Sequence, residues 1–513
     1  MKLLLSLTLL LVGLRVFGAD IALSRVSYLA QQGEVEAAIA LYRSWHEESA
    51  SHDYTVLQRL GRSLIERGGA SDTLEERMLA VYGAGIALLP SLQPIVEDAL
   101  LYPDPQVQLI ALHFLASFQT DSSSRALFHA MRSPFLLTRL EAAYLLAQGK
   151  IAGGTEQIEA LMVKVDPEWQ IYFPELFALA GDRRAVNALK RLMSHSNRDV
   201  RLMAILSAAS FHRDDFTKQI KDAASQLDRQ QREAAASALG LLGDLSALPL
   251  LQDLFSLDDP YVRIAAALSL HRFGNRGASA LLEKEALAGN LFAIAALEQV
   301  ADSEDLLVEL LDDSQIHVRL NAALSLLQHK DSRCVEVLKR ILIADARDLA
   351  FTPTLSPGKS LRAWKAVPSA HSRYPKNSPI FAASLALREK ILMNAIYLKE
   401  EAFLALASEI FDSRQSELIP QLVHALETLH TPQAVALLQE KARSHPLSFV
   451  RNWCNLALYK LEAKGCDEKE LLQWVVWQSK EKMIEFRPSA SWTSLGQPKP
   501  YDVMPQEESR LLI

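Results

Sequence analysis

The reading turns on residues 259–270, Asp259-Pro260-Tyr261-Val262-Arg263-Ile264-Ala265-Ala266-Ala267-Leu268-Ser269-Leu270. Asp ahead of an apolar run is an N-cap signal, because its carboxylate can accept from the first free backbone N–H groups. Pro suits a helix's first turn, where its missing N–H is not needed. Val262, Ala266, Ala267 and Leu270 fall on one helical face. After a break at 271–277 comes a second apolar stretch, 278–287. The segment is expected to form two helices joined by a short turn.

The same plan recurs. Steps of 31 residues from Arg77 reach Gln108, Arg139, Gln170, Arg201, Arg232 and Arg263. Three places on, they reach Ala80, Ala111, Ala142, Phe173, Ala204, Ala235 and Ala266; four places back, Thr73, Asp104, Phe135, Asp166, Asn197, Asp228 and Asp259. Lys and Arg together are only 54 of 513 residues, so five arginines in seven fixed slots mark an internal repeat. A unit of this length holds two helices of about 11–12 residues each. Such a pair cannot bury its apolar face alone, so neighbours must stack, and alanine in the third slot lets them approach closely. The expected fold is all-α: an α-solenoid of stacked two-helix repeats, with a concave surface suited to holding something.

The pattern Asp-Pro-x-Val-Arg-x-x-Ala-Ala-x-x-Leu, followed by Leu-Gly-Asp and a second helix, resembles HEAT-type repeats. Its shortness is most similar to the subclass first noted in phycobilin lyases. The units that carry the resemblance best are Asp259–Leu270, Val318–Leu326, Val200–Ala208 and Thr138–Leu146. It covers roughly 71–344 and, more weakly, 381–461. It implies a fold and says little of function, because such repeats serve many unrelated roles.

The flanking segments set the domain organisation. Residues 1–18 have a basic start and an apolar run, 3–13, too short to span a bilayer, and small residues Val16 and Gly18 near a cleavage point. They read as a signal peptide, placing a bacterial protein in the periplasm, at the envelope or outside the cell. No later stretch is long and apolar enough to cross a membrane. Residues 19–70 read as an N-terminal cap similar to a tetratricopeptide hairpin, with Gly33 at its turn and Ala37 and Ala38 at its contact. The array occupies 71–344. Helical repeats and a cap bearing Trp474 and Trp477 occupy 381–486, and 487–513 reads as an extended tail.

Residues 345–380 interrupt the array. Pro353, Pro357, Pro368, Pro375 and Pro379 forbid a continuous helix. Lys359, Arg362, Lys365, Arg373 and Lys376 interleave with Trp364 and Tyr374, and no acidic residue lies between Leu349 and Leu387. Insertions in repeat proteins map to loops, often on a binding face. These seven residues are therefore the candidate binding set, against the alternative of a solvated excursion.

No chemistry stands out beside them. Pro357-Gly358-Lys359-Ser360 mimics the end of a phosphate-binding loop, but the earlier glycine would fall at Pro353. The histidines sit at no ligand spacing, so no metal or cofactor is expected. Cys334, Cys454 and Cys466 form no C-x-x-C; Cys454 occupies a small-residue slot and reads as a buried apolar side chain, with a Cys454–Cys466 disulfide the minor alternative. The arginines of the ladder (Arg77, Arg139, Arg201, Arg232, Arg263, Arg319, Arg451) read as ties between repeats, each pairing with an Asp or a backbone carbonyl of an adjacent unit. A net charge of -7 and no basic stripe argue against nucleic acid. The expectation is a non-enzymatic, exported scaffold for another protein or peptide. A lyase-type enzyme or enzyme subunit and a nucleic-acid-binding helical-repeat protein are the alternatives.

Overall fold

The capping residues read from the sequence do what their chemistry allows. In the computed structural model, Asp104 Oδ1 accepts from Gln106 N at 2.8 Å, Asn197 Oδ1 from Asp199 N at 2.9 Å, Asp228 Oδ1 from Gln230 N at 2.9 Å and Asp259 Oδ1 from Tyr261 N at 3.0 Å. Each starts the first helix of a pair: Pro105–Phe118, Arg198–Ser210, Arg229–Leu242 and Pro260–Arg272. Thr73, Phe135 and Asp166, in the same slot, make no side-chain cap bond.

The structure describes residues 21–49, 52–344, 348–368, 379–413, 415–471 and 473–474. The expected leader at 1–18, the tail at 487–513 and Trp477 lie outside them. The chain forms two compact units that divide between Val163 and Lys164.

In the first unit, a helix over 21–31 and the helices Val35–Ser49 and Tyr54–Gly69 enclose a small core of Val26, Ala30, Ala38, Tyr42, Val56 and Leu60. Gly33 turns the chain at φ +81°, a conformation glycine adopts without strain. Of the two alanines expected at this contact, Ala38 is buried and Ala37 exposed. The paired helices then begin, and the first helices Leu74–Ala87, Pro105–Phe118 and Leu136–Gln148 stack in succession.

The second unit repeats the arrangement. First helices Phe173–Ala180, Arg198–Ser210, Arg229–Leu242 and Pro260–Arg272 stack side by side, and Leu291–Ala296, Ile316–Gln328, Pro379–Ala395, Ile419–Leu429 and Ser448–Lys460 continue the row. Those from Arg198–Ser210 to Pro260–Arg272 are buried on most sides, as helices with neighbours on several sides must be. Second helices are amphipathic instead: Arg183–Leu192 buries Ala185, Ala188, Leu189 and Leu192 and leaves its charges in water. The alanine slot is closed throughout, with Ala204, Ala235, Ala266 and Ala322 at 0 % exposure. Where Phe173 fills that slot, a 3-10 stretch, Pro167–Tyr172, replaces the helix's opening turn, and Trp169, Tyr172, Phe173 and Phe177 are buried together.

Two contacts between first helices escape the arginine–alanine pattern. Ser269 Oγ donates to Ala236 O at 2.8 Å, and Ser325 Oγ to Ile294 O at 3.0 Å. Gly240 lets the Arg229–Leu242 and Pro260–Arg272 backbones meet: a Cβ there would sit 2.8 Å from Ser269 Cα. All three cysteines are free. Burial pushes the Cys454 thiol up to about 12, as expected of a small core side chain.

Residues 349–368, where only an irregular loop was expected, form a β-hairpin. Strand β1 (Leu349–Leu355) runs antiparallel to β2 (Arg362–Pro368), with Pro353 opposite Trp364. The prolines exclude helix, but an edge strand tolerates them where no ladder N–H is required.

Candidate functional site

Five of the seven ladder arginines bond backward to a backbone carbonyl. Arg77 Nη2 donates to Ser71 O at 2.6 Å, Arg201 Nη1 to His195 O at 2.6 Å, Arg319 Nη1 to Asp313 O at 2.7 Å and Arg451 Nη1 to His445 O at 3.0 Å, each reaching six residues back. Arg232 reaches Leu227 O at 2.9 Å, five back. Gln108, in the same slot, donates from Nε2 to Tyr102 O at 2.8 Å. These carbonyls lie in the turn that ends the preceding pair, so each side chain secures a junction. Carboxylate pairing is secondary: Arg201 stands 3.9 Å from Asp228, and Arg451 bonds Glu470 at 2.7 Å. Arg139 and Arg263 hold the same slot near the starts of Leu136–Gln148 and Pro260–Arg272.

The insertion residues do not form one constellation. Arg373, Tyr374 and Lys376 lie outside the described residues. Lys365 projects into solvent. Lys359, at the hairpin tip with φ +59°, reaches across to Asp199 at 3.0 Å. Arg362 lies over the Trp364 ring, 5.0 Å from its centroid.

What positions them is a set of residues the sequence reading passed over. The tip Ser356-Pro357-Gly358-Lys359 turns with Lys359 N donating to Ser356 O at 2.9 Å, and it sits on Glu233 of the Arg229–Leu242 helix. Glu233 Oε1 accepts from the Ser356 hydroxyl and from Ser360 Oγ at 2.8 Å; Oε2 accepts from Gly358 N at 2.7 Å. Burial pushes the Glu233 carboxyl above its ordinary value, and the three donors offset part of that rise. Along β2, Asn321 reads the backbone of Trp364 in both senses: Nδ2 donates to Trp364 O at 2.8 Å, and Oδ1 accepts from Trp364 N at 2.9 Å. His317 Nδ1 accepts from Ala366 N at 3.1 Å. The outward backbone groups of β2 are thus taken by the Ile316–Gln328 helix, while β1 packs against Pro379–Ala395. Phe351 is fully buried beneath the hairpin.

A signal for Glu233 was present. The place after each slot residue holds Met78, Leu109, Leu140, Ile171, Leu202, Glu233, Ile264, Leu320 and Asn452, so one acid sits in a mostly apolar core position. Its partners lie more than 120 residues away, beyond any local pattern. Among the described residues no group of three or more His, Cys, Asp or Glu side chains could hold a metal ion, and no helix is long and apolar enough to cross a membrane.

Comparison with known proteins agrees with the repeat geometry. Residues 217–291 match the family model described as HEAT repeats. No curated protein matches the chain. Similar solved structures include the CpcE–CpcF complex of phycocyanin lyase from Nostoc sp. PCC7120, at 20% identity over 42% of this chain and 92% of that one, TM-score 0.30. Another is the karyopherin Kap121p bound to the extreme C-terminus of the phosphatase Cdc14p, at 12% identity over 89% and 60%, TM-score 0.36. UNC-45 from Drosophila melanogaster follows at 10% identity over 90% and 79%, TM-score 0.34. With its capped helix pairs and alanine contacts, the segment 217–291 of the chain carries HEAT repeats.

Proposed function

We propose that this protein is a non-enzymatic scaffold that binds an extended segment of another protein through its first-helix row, and that it does so after export, in the periplasm, at the envelope or outside the cell. The observation that carries the reading is the grip on β2. Asn321 satisfies both backbone groups of Trp364, and His317 takes the N–H of Ala366. Such bonds recognise main chain rather than side chain, which is how a surface holds a strand of varied sequence. The same helices hold part of this chain in that manner, so their chemistry suits extended polypeptide. The basic start and apolar run of residues 1–18 support export.

Site-specific photo-crosslinking in cells tests this. A crosslinker at Arg229 or Gln328, on first helices, is expected to trap one partner reproducibly; one at Lys190 or Lys218, near the second helices, is not. Equal trapping at both sets would refute the assignment of the binding face. Mass spectrometry of the native N-terminus tests export, with a retained residue 1–18 segment as the contrary result.

A further inference from the structure

Between the first-helix row and the hairpin lies a cavity of about 350 Å³. Its walls come from Pro260–Arg272, Leu291–Ala296, Ile316–Gln328, Pro379–Ala395 and β2. That volume is at the small end of pockets that enclose small molecules. Its lining is divided in character. Leu268, Phe292, Leu324, Leu361, Leu387 and Ile391 supply an apolar part. Arg272, Arg362 and Lys390 supply three cations, against the single carboxylate of Glu298.

The two guanidiniums have few acidic partners. Arg272 directs Nε and Nη2 to the amide oxygen of Gln299, at 3.0 and 2.8 Å, a neutral acceptor. Arg362 stacks on Trp364 and makes no ion pair among the described residues. Arg272 is partly buried, which draws its pKa below the ordinary arginine value, with Glu298 the carboxylate that offsets this; Arg362 stands at the exposed rim. A planar guanidinium edge matches a carboxylate, which can accept two parallel N–H bonds. Three cations and one carboxylate around one cavity leave an excess of positive charge that suits an anionic group.

We propose that this cavity binds a small organic carboxylic acid with an apolar body, its carboxylate held by Arg272, Arg362 and Lys390 and its hydrocarbon part against Leu268, Phe292 and Leu387. The site is closed on one side by the hairpin, so the ligand also fastens β2 to the helices. It stands independently of any protein partner on the first-helix row.

The test is calorimetric titration of the full chain with 3-phenylpropionate, 3-phenylpropionamide and inorganic phosphate. The acid is expected to bind at least tenfold more tightly than the amide and than phosphate. Arg362→Gln and Arg272→Gln each lower its affinity at least tenfold, Arg362→Lys retains part of it, and Lys218→Gln, in solvent and away from the cavity, leaves it unchanged. Equal binding of acid and amide, or no binding of the acid by the unaltered chain, overturns the proposal without reliance on any variant. So does equal affinity of the acid in Arg362→Gln and Arg272→Gln chains whose circular dichroism and melting match the parent.

Discussion

Replacing Gly358 by alanine should lift the hairpin tip from the solenoid and leave the rest of the fold intact. The added Cβ would lie 2.7 Å from Gln230 O, 2.7 Å from Glu233 Cδ and 2.8 Å from Glu233 Cβ. Carbon atoms prefer separations of about 3.5–4.0 Å, so one side must move. The helix is held there by the Asp228 cap, which accepts from Gln230 N at 2.9 Å. The tip is held only by side-chain contacts, to Glu233 and from Lys359 to Asp199, and moves instead. Three hydrogen bonds to Glu233 go with it. A bond to a charged partner nets about 1.5–3 kcal/mol, but three on one carboxylate do not add, and Glu233 regains water when the tip leaves. The loss is about 3 kcal/mol in docking, or on the order of 100-fold more of the open form. Hydrogen exchange at Trp364 and Ala366 N–H, and tryptic cleavage after Lys359, Arg362 and Lys365, should both accelerate by that factor. Helical circular dichroism should be unchanged. Gly61→Ala, in helix Tyr54–Gly69 with nothing within 4 Å of the new Cβ, is the control and should be neutral or slightly stabilising. Unaltered exchange and cleavage in Gly358→Ala would show that the tip is not seated on Glu233 as described.

Docking of the hairpin should also weaken as pH rises. Because the folded pKa of Glu233 is raised, chiefly by burial and to a lesser degree by Asp259, its contribution is fully present below the ordinary carboxyl value of 4.5 and is lost as pH climbs through the raised one. Protection factors in β2, corrected for intrinsic exchange, should fall as pH rises above the ordinary carboxyl value of 4.5, and Glu233→Gln should flatten the trend; a flat or rising profile in the parent chain refutes it. Asn321→Ala should cost about 1–3 kcal/mol of hairpin docking by leaving two buried backbone groups of Trp364 unpaired, read by the same exchange measurement. Gly240→Ala should cost about 3 kcal/mol or more in urea melts, since its Cβ would fall 2.2 Å from Ser269 Oγ and 2.8 Å from Ser269 Cα, which belongs to backbone. Arg201→Ala, which removes bonds to His195 O and Ser196 O from a mostly buried side chain, should cost about 2 kcal/mol, with Arg201→Gln recovering part of it as Gln108 does in its own slot.

The sequence was legible wherever the physics is local. Caps at Asp104, Asn197, Asp228 and Asp259, the closed alanine slot and the paired helices follow from residues a few places apart. The ladder was legible in kind, because an arginine near a helix start finds carbonyls in the turn behind it. The hairpin was not. Its prolines speak only against helix, and what stabilises strands at 349–368 is Glu233, Asn321 and His317 on helices far away in the chain. Arg362 and Trp364 were singled out for charge and aromaticity. The residues that make a cavity of them, Arg272 and Lys390, carried no mark until folding brought them together.

The reach of the ladder side chains also bears on how such a molecule can change its length. Because Gln108 and Arg201 are satisfied within six residues, a helix pair carries its own polar fastening when copied or deleted. Bonds between pairs, such as Ser269 Oγ to Ala236 O, must then find an equivalent acceptor in the new neighbour. A chain assembled this way can lengthen by duplication with the fastening of each new pair already in place.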